Sequence, residues 1–154
     1  MIQAERNEMQ KKSPPDMQAP VWNDELSVGI RELDKQHRKL FETIKRLQQN
    51  PAISIHSEAV SEIFQELMDY VSTHFASEER FMAQMGYPGL EQHRAAHIEF
   101  TERLSDMMLD AMEQTRDGTA EELFDLMQQW LESHIRNDDM HYAAFFKQQA
   151  VSAK

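Results

Sequence analysis

Residues 60–85, VSEIFQELMDYVSTHFASEERFMAQM, decide how the rest of the chain reads. Val60, Ile63, Leu67, Val71, Phe81 and Met85 mark one face of an amphipathic helix, spaced by threes and fours. The series skips two places, and they hold His74 and Glu78. An imidazole and a carboxylate thus stand where a core-facing helix normally puts leucine or valine.

The same interruption recurs along the chain. Upstream, Ile30, Leu33, Leu40, Ile44 and Leu47 form a stripe whose missing member is His37, closed by Asn50-Pro51. Downstream, Leu90, Phe100, Leu104, Met107 and Ala111 leave gaps at His93 and His97. Leu123, Met127 and Trp130 make a fourth stripe, and His134 takes its next place. Gly86 and Pro88-Gly89 part the second helix from the third. Gly118 parts the third from the fourth, with Thr119 and Glu122 in a capping-box pattern. Tyr142 to Phe146 reads as a final helical turn or two. The expectation is an all-α fold, an antiparallel up-down-up-down four-helix bundle with a short C-terminal helical segment. Residues 1–20 are polar, carry Pro14, Pro15 and Pro20 and lack periodicity, the pattern of a flexible tail before a domain at 21–154.

That topology brings the interruptions to one depth. The start of helix one, the end of helix two, the start of helix three and the end of helix four share one end of the bundle. At about 1.5 Å rise per residue, all the polar intrusions fall within roughly 5–18 Å of that end. A single histidine on a core stripe is usually a satisfied core residue. Five imidazoles converging with carboxylates are not, because each buried charge without a partner costs several kcal/mol. A metal ion removes that cost, and imidazole with carboxylate suits iron, manganese or zinc. His56, in the connection after Pro51, and His141 lie off the stripes and read as solvated. The 11 methionines read as core packing, as do Phe75 and Trp130 by default.

Composition narrows the partners. With 27 acidic and 16 basic residues the net charge is −11, which repels nucleic acid and anionic membranes. The absence of cysteine excludes disulfides, thiolate-bound zinc and iron–sulfur clusters. No apolar run resembles a signal sequence or a membrane span, so a cytoplasmic monomer is the expectation.

Ligand counting points to two ions. A zinc site takes four ligands at most, whereas His37, His74, Glu78, His93, His97, His134 and one of Asp138 or Asp139 make seven. Two octahedral ions offer twelve positions. Five histidines, two bridging carboxylates and a bridging oxygen fill all but one, leaving room for one small ligand. His93 and His97, four apart on one helix, can share an ion with His134. His74 and His37 can share the other, with Glu78 between the two. The vacancy then falls on the two-histidine ion. On a regular helix Asp138 lies about 40° from the His134 face and Asp139 about 140°, so plain geometry favours Asp138.

The chain resembles the hemerythrin family, particularly its single-domain bacterial members. The resemblance rests on Trp22-Asn-Asp-Glu-Leu-Ser-Val-Gly-Ile, Leu33-Asp-Lys-Gln-His-Arg-Lys-Leu and His74-Phe-Ala-Ser-Glu-Glu. It continues through Met85-Gly-Tyr-Pro, His93-Arg-Ala-Ala-His and Trp130-Leu-Glu-Ser-His-Ile-Arg-Asn-Asp-Asp. These stretches run in consistent order over about residues 21–147, and the whole set is far more specific than any one motif. The resemblance implies a non-heme di-iron centre, two Fe ions with an oxo or hydroxo bridge, that binds O2 reversibly at the two-histidine iron. It implies that Asp139 rather than Asp138 is the bridging aspartate, which requires the helix to loosen after His134, as in a π-type turn. It also implies an apolar O2 pocket of Leu40, Phe75, Phe100, Trp130, Leu131 and Ile135. The expected role is an O2 carrier, store, scavenger or sensor rather than an enzyme. The alternative is a di-iron enzyme of iron, peroxide or nitric oxide detoxification.

Overall fold

The computed structural model describes residues 19–153. The tail expected over residues 1–20 lies, up to residue 18, outside the described residues. From Ala19 onward the chain already touches the core, through Ala19 and Trp22.

A 3-10 turn at Asp24–Leu26 leads into α1, Arg31–Gln48. Next come α2, Glu58–Met85, α3, Leu90–Glu113, and α4, Ala120–Ser133. A π-helical segment, His134–Asp139, passes directly into α5, Met140–Ser152. The helices pack in a ring, α1 on α2, α2 on α3, α3 on α4 and α4 on α1. This is the four-helix bundle that the stripes require. No helix among the described residues is long and apolar enough to cross a membrane.

The helix ends follow local chemistry. Gly86 closes α2 in the left-handed region (φ 66°), where a side chain would be strained. The Ser57 hydroxyl oxygen accepts from Val60 N at 3.2 Å and opens α2. The expected capping box at the start of α4 does not form. Thr119 makes no side-chain cap bond, and Glu122 pairs with Arg116 instead. The reason lies in the neighbouring loop. Arg116, in the α3–α4 connection, holds the Glu122 carboxylate, and Glu122 N donates to Thr119 O at 3.1 Å, while Ala120 N and Glu121 N donate to Ile53 O and Pro51 O of the α1–α2 connection.

The C-terminal segment is longer than the expected turn or two. From Ala120 to Ser152 the helix runs without a break. Tyr142 and Ala143 are buried against Val28, Leu33 and Met82, which anchors α5. Beyond them no glycine or proline stops the helix. His141 is exposed as expected, but His56 is not fully solvated. It is half-buried, with Nδ1 2.8 Å from the Ala111 carbonyl at the end of α3.

The core is divided. A large apolar cluster, including Leu40, Ile44, Leu67, Val71, Phe100, Leu104, Leu123 and Met127, fills most of the bundle. A smaller one holds Val28, Leu33, Met82, Tyr142 and Ala143. Leu33 precedes His37 by one turn, and Met82 follows Glu78 by one turn. The polar residues therefore form a layer between two apolar clusters.

Candidate metal centre

All seven sequence-predicted residues meet in that layer, and none is more than 4 % exposed. α1 supplies His37, α2 supplies His74 and Glu78, and α3 supplies His93 and His97. The π-helical segment supplies both His134 and Asp139.

The carboxylates organise the site. Glu78 Oε1 lies 3.2 Å from His37 Nε2 and 3.1 Å from His74 Nε2. Its Oε2 lies 3.4 Å from His93 Nε2 and 3.1 Å from His97 Nε2. Asp139 repeats the division. Its Oδ2 is 3.1 Å from His37 Nε2, while Oδ1 is 3.2 Å from His93 Nε2 and 3.0 Å from His134 Nε2. Two nests result, one with His37 and His74 and one with His93, His97 and His134, and each carboxylate gives one oxygen to each.

Hydrogen bonding does not explain the layer. His37 Nε2 and both Asp139 oxygens have neighbours near 3 Å, yet none of the three atoms has a hydrogen-bond partner. His97 Nε2 and His134 Nε2 stand 3.1 Å apart, where two N–H groups would repel. These atoms point at common centres rather than at one another. Bonds of ~2.1 Å to an octahedral ion set neighbouring donors about 3.0 Å apart, close to the spacing seen. The residues fit metal ions.

Asp139 and Asp138 occupy different places. A backbone bond from Met140 N to Ile135 O spans five residues, the mark of a π turn. The wider turn brings Asp139, five residues after His134, round to the inner face, where it is fully buried. Asp138 instead stays at the rim and holds His134 Nδ1 at 2.9 Å.

Outer partners went unread in the sequence. Each imidazole presents Nε2 inward, and three present Nδ1 to a side chain. His74 Nδ1 is 2.8 Å from Gln36 Oε1, and His97 Nδ1 is 2.9 Å from Glu79 Oε1. Such bonds fix the ring and its tautomer. Tyr142 donates its hydroxyl to Glu78 Oε1 at 2.9 Å, orienting the central carboxylate. Gln36 and Glu79 each adjoin a singled-out residue, so adjacency was the available signal. Tyr142, 64 residues from Glu78, offered none.

The apolar residues named for the pocket gather on the large-cluster side of the site. Phe75 stacks flat on His97 with ring centroids 3.7 Å apart, and Trp130 stacks on His134 at 4.4 Å. Phe100 stacks on Trp130 at 3.9 Å, and Leu40, Leu131 and Ile135 belong to the same cluster.

Charge balance couples this layer to pH. Burial lowers His37, His93 and His134, but Asp139 and Glu78 outweigh it, with help from Asp138 at His134. The outcome is about 9 for His37 and His93 and about 10 for His134. Burial pushes Glu78 up, yet the surrounding imidazoles, His74 foremost, pull it well below the carboxylate range. Burial and then Glu78 push Asp139 up, but His134 and His37 bring it below the usual range. For a chain stripped of metal, the raised histidines give stability that is complete below about pH 6.5. It is lost as pH rises through 9 to 10. The depressed carboxylates give stability present above about pH 4 and lost in stronger acid. The melting temperature of chelator-treated protein is expected to fall between pH 6.5 and 10. A flat profile over that interval would contradict the charge balance. Metal uptake at neutral pH is expected to release protons.

Comparison with known proteins gives the same direction. Residues 28–146 match the Hemerythrin HHE cation binding domain family. A bacteriohemerythrin of Stenotrophomonas maltophilia is 37 % identical over 123 residues, covering 80 % of this chain and 78 % of its own. One from Clostridium acetobutylicum is 30 % identical over 125 residues, covering 79 % and 97 %. In fold, the chain is similar to a crystal structure of wild-type hemerythrin. The TM-score is 0.75 at 24 % identity, covering 82 % of this chain and 97 % of that one. By its family match, its relatives and its fold, this chain belongs to the hemerythrin family.

Proposed function

We propose that the chain binds dioxygen reversibly at a non-heme di-iron centre and serves as a carrier, store, scavenger or sensor. The observation behind this reading is the division of the Glu78 and Asp139 oxygens between a two-histidine and a three-histidine nest. His37 and His74 would hold one ion and His93, His97 and His134 the other, with Glu78 and Asp139 each offering one oxygen to either side. A ferrous pair supplies the electrons on which reversible dioxygen binding draws.

The protein's own contribution is placement and exclusion. With three imidazoles and two carboxylate oxygens the second nest is the fuller one, so the side of His37 and His74 would have room for a small ligand. Phe75 and Trp130 lie against the histidine rings, and Leu40, Phe100, Leu131 and Ile135 belong to the same apolar cluster, which would keep bulk water from the bound gas. Tyr142 keeps Glu78 turned toward both nests. The working unit in this reading is residues 21–154.

Absorbance of anaerobically reduced protein, before and after air, tests the reading. A visible charge-transfer band should appear with air, vanish under vacuum and return. Irreversible bleaching, with turnover of peroxide or nitric oxide, would assign the centre to detoxification.

A further inference from the structure

We infer that Gln36 is a positioning residue that sets the two-histidine side of the centre electronically apart from the three-histidine side. The inference rests on the dioxygen-binding reading above and concerns what stands behind each imidazole. On the three-histidine side, two of the three outer nitrogens meet carboxylates, His97 at Glu79 and His134 at Asp138. On the two-histidine side neither does. His74 Nδ1 meets the neutral amide of Gln36, and His37 Nδ1 is buried with no hydrogen-bond partner.

The difference has a chemical consequence. A carboxylate accepting from Nδ1–H draws the proton outward and makes Nε2 a stronger electron donor. Such a ligand favours the more oxidised metal. An amide oxygen fixes the same ring at the same length with much less donation. The fuller nest is thus backed by charge and the open nest by a neutral group. Dioxygen binding that reverses needs the open side to give up its electrons reluctantly, and a neutral partner for His74 meets that need.

The surroundings show that Gln36 holds its place. It is half-buried, in the second turn of α1. Its amide nitrogen lies 3.4 Å from Glu32 Oε1, which turns the amide oxygen toward His74. The outer face of Gln36 borders a groove of ~680 Å³ between α1 and α2, where Lys35 and Lys39 also stand. A glutamate at 36 would stand beside the Glu32 carboxylate, in a groove that Lys35 and Lys39 line together with Glu66 and Asp69. Glu79 is held in turn by Arg94, whose Nε donates to Glu79 Oε2 at 3.2 Å.

Gln36→Glu and Glu79→Gln test the inference, because each keeps side-chain length and an oxygen for the ring while exchanging charge. Both variants and the unaltered chain are loaded with ferrous iron without air. Metal content and the midpoint potential are then measured by spectroelectrochemistry. Gln36→Glu is expected to lower the midpoint, raising the oxidised-to-reduced ratio at fixed potential roughly tenfold, ~59 mV for one electron. Glu79→Gln is expected to raise the midpoint. Gln36→Met, which removes the ring's partner without adding charge, should weaken iron retention and leave the midpoint nearer the original. If Gln36→Glu retains iron at the original midpoint, Gln36 is a structural support only and the inference is overturned. If the unaltered chain itself retains no iron pair, the dioxygen reading falls first and the inference with it.

Discussion

Glu78→Gln is expected to cost the chain its metal, lowering retained iron from about two ions to well under one per chain. The change keeps the shape of the side chain and one carbonyl oxygen. It removes the charge and turns one of two inward oxygens into an N–H2 donor aimed at imidazole nitrogens. Glu78 is fully buried, and its oxygens face four of the five histidines. The loss leaves Asp139 to span both nests, and its oxygens stand near His37, His93 and His134 but not His74 or His97. Loss of one partner from such a buried, charged set costs about 3–5 kcal/mol, so the metal-stripped variant should also melt earlier. Iron analysis after anaerobic reconstitution, beside a thermal melt of the stripped protein, reads both effects. Two tightly held ions in Glu78→Gln would show that the carboxylate is not the bridge.

The second large effect separates neighbours. Asp139→Ala is expected to lose the iron pair, because its oxygens reach His37, His93 and His134, one nest on each side. Asp138→Ala is expected to keep both ions while binding them about 10- to 100-fold more weakly, as loss of an outer partner to a metal-binding histidine does. It leaves Asp139 in place and frees only the His134 ring. Iron that survives in Asp139→Ala but not in Asp138→Ala would reverse the assignment of the two aspartates.

The bundle was legible because four apolar stripes keep helical spacing over most of the chain, and helices on short connections have few ways to pack. The five histidines and Glu78 stood out for the same reason, since each fills a gap in a stripe. Asp139 did not stand out. A regular helix points it away from the His134 face, and only family spacing favoured it. The structure turns it inward through a π turn, a backbone deviation that residue periodicity does not carry. Outer contacts were hidden more deeply. Gln36 and Glu79 look like ordinary polar surface until the packing of α1 on α2 and α2 on α3 gives them partners, and Asp138, which helix geometry favoured as the bridge, instead holds the His134 ring from the rim. The capping box failed for a related reason. Thr119 and Glu122 carry the right local pattern, but Arg116 holds the Glu122 carboxylate and Glu122 N turns to the Thr119 carbonyl rather than its hydroxyl.

The π-helical segment also sets what kinds of genetic change this chain can absorb. Upstream of it, α4 is held in register by Leu123, Phe124 and Met127, and downstream α5 is held by Tyr142 and Ala143. The extra residue in the turn is what allows both registers to be met by one unbroken helix. Arg136 and Asn137 are exposed and open to replacement. Their number is not, because losing one would rotate α5 by about 100° against α4 and carry Tyr142 off Glu78. At these two positions a drifting lineage can exchange letters, but it cannot add or drop one.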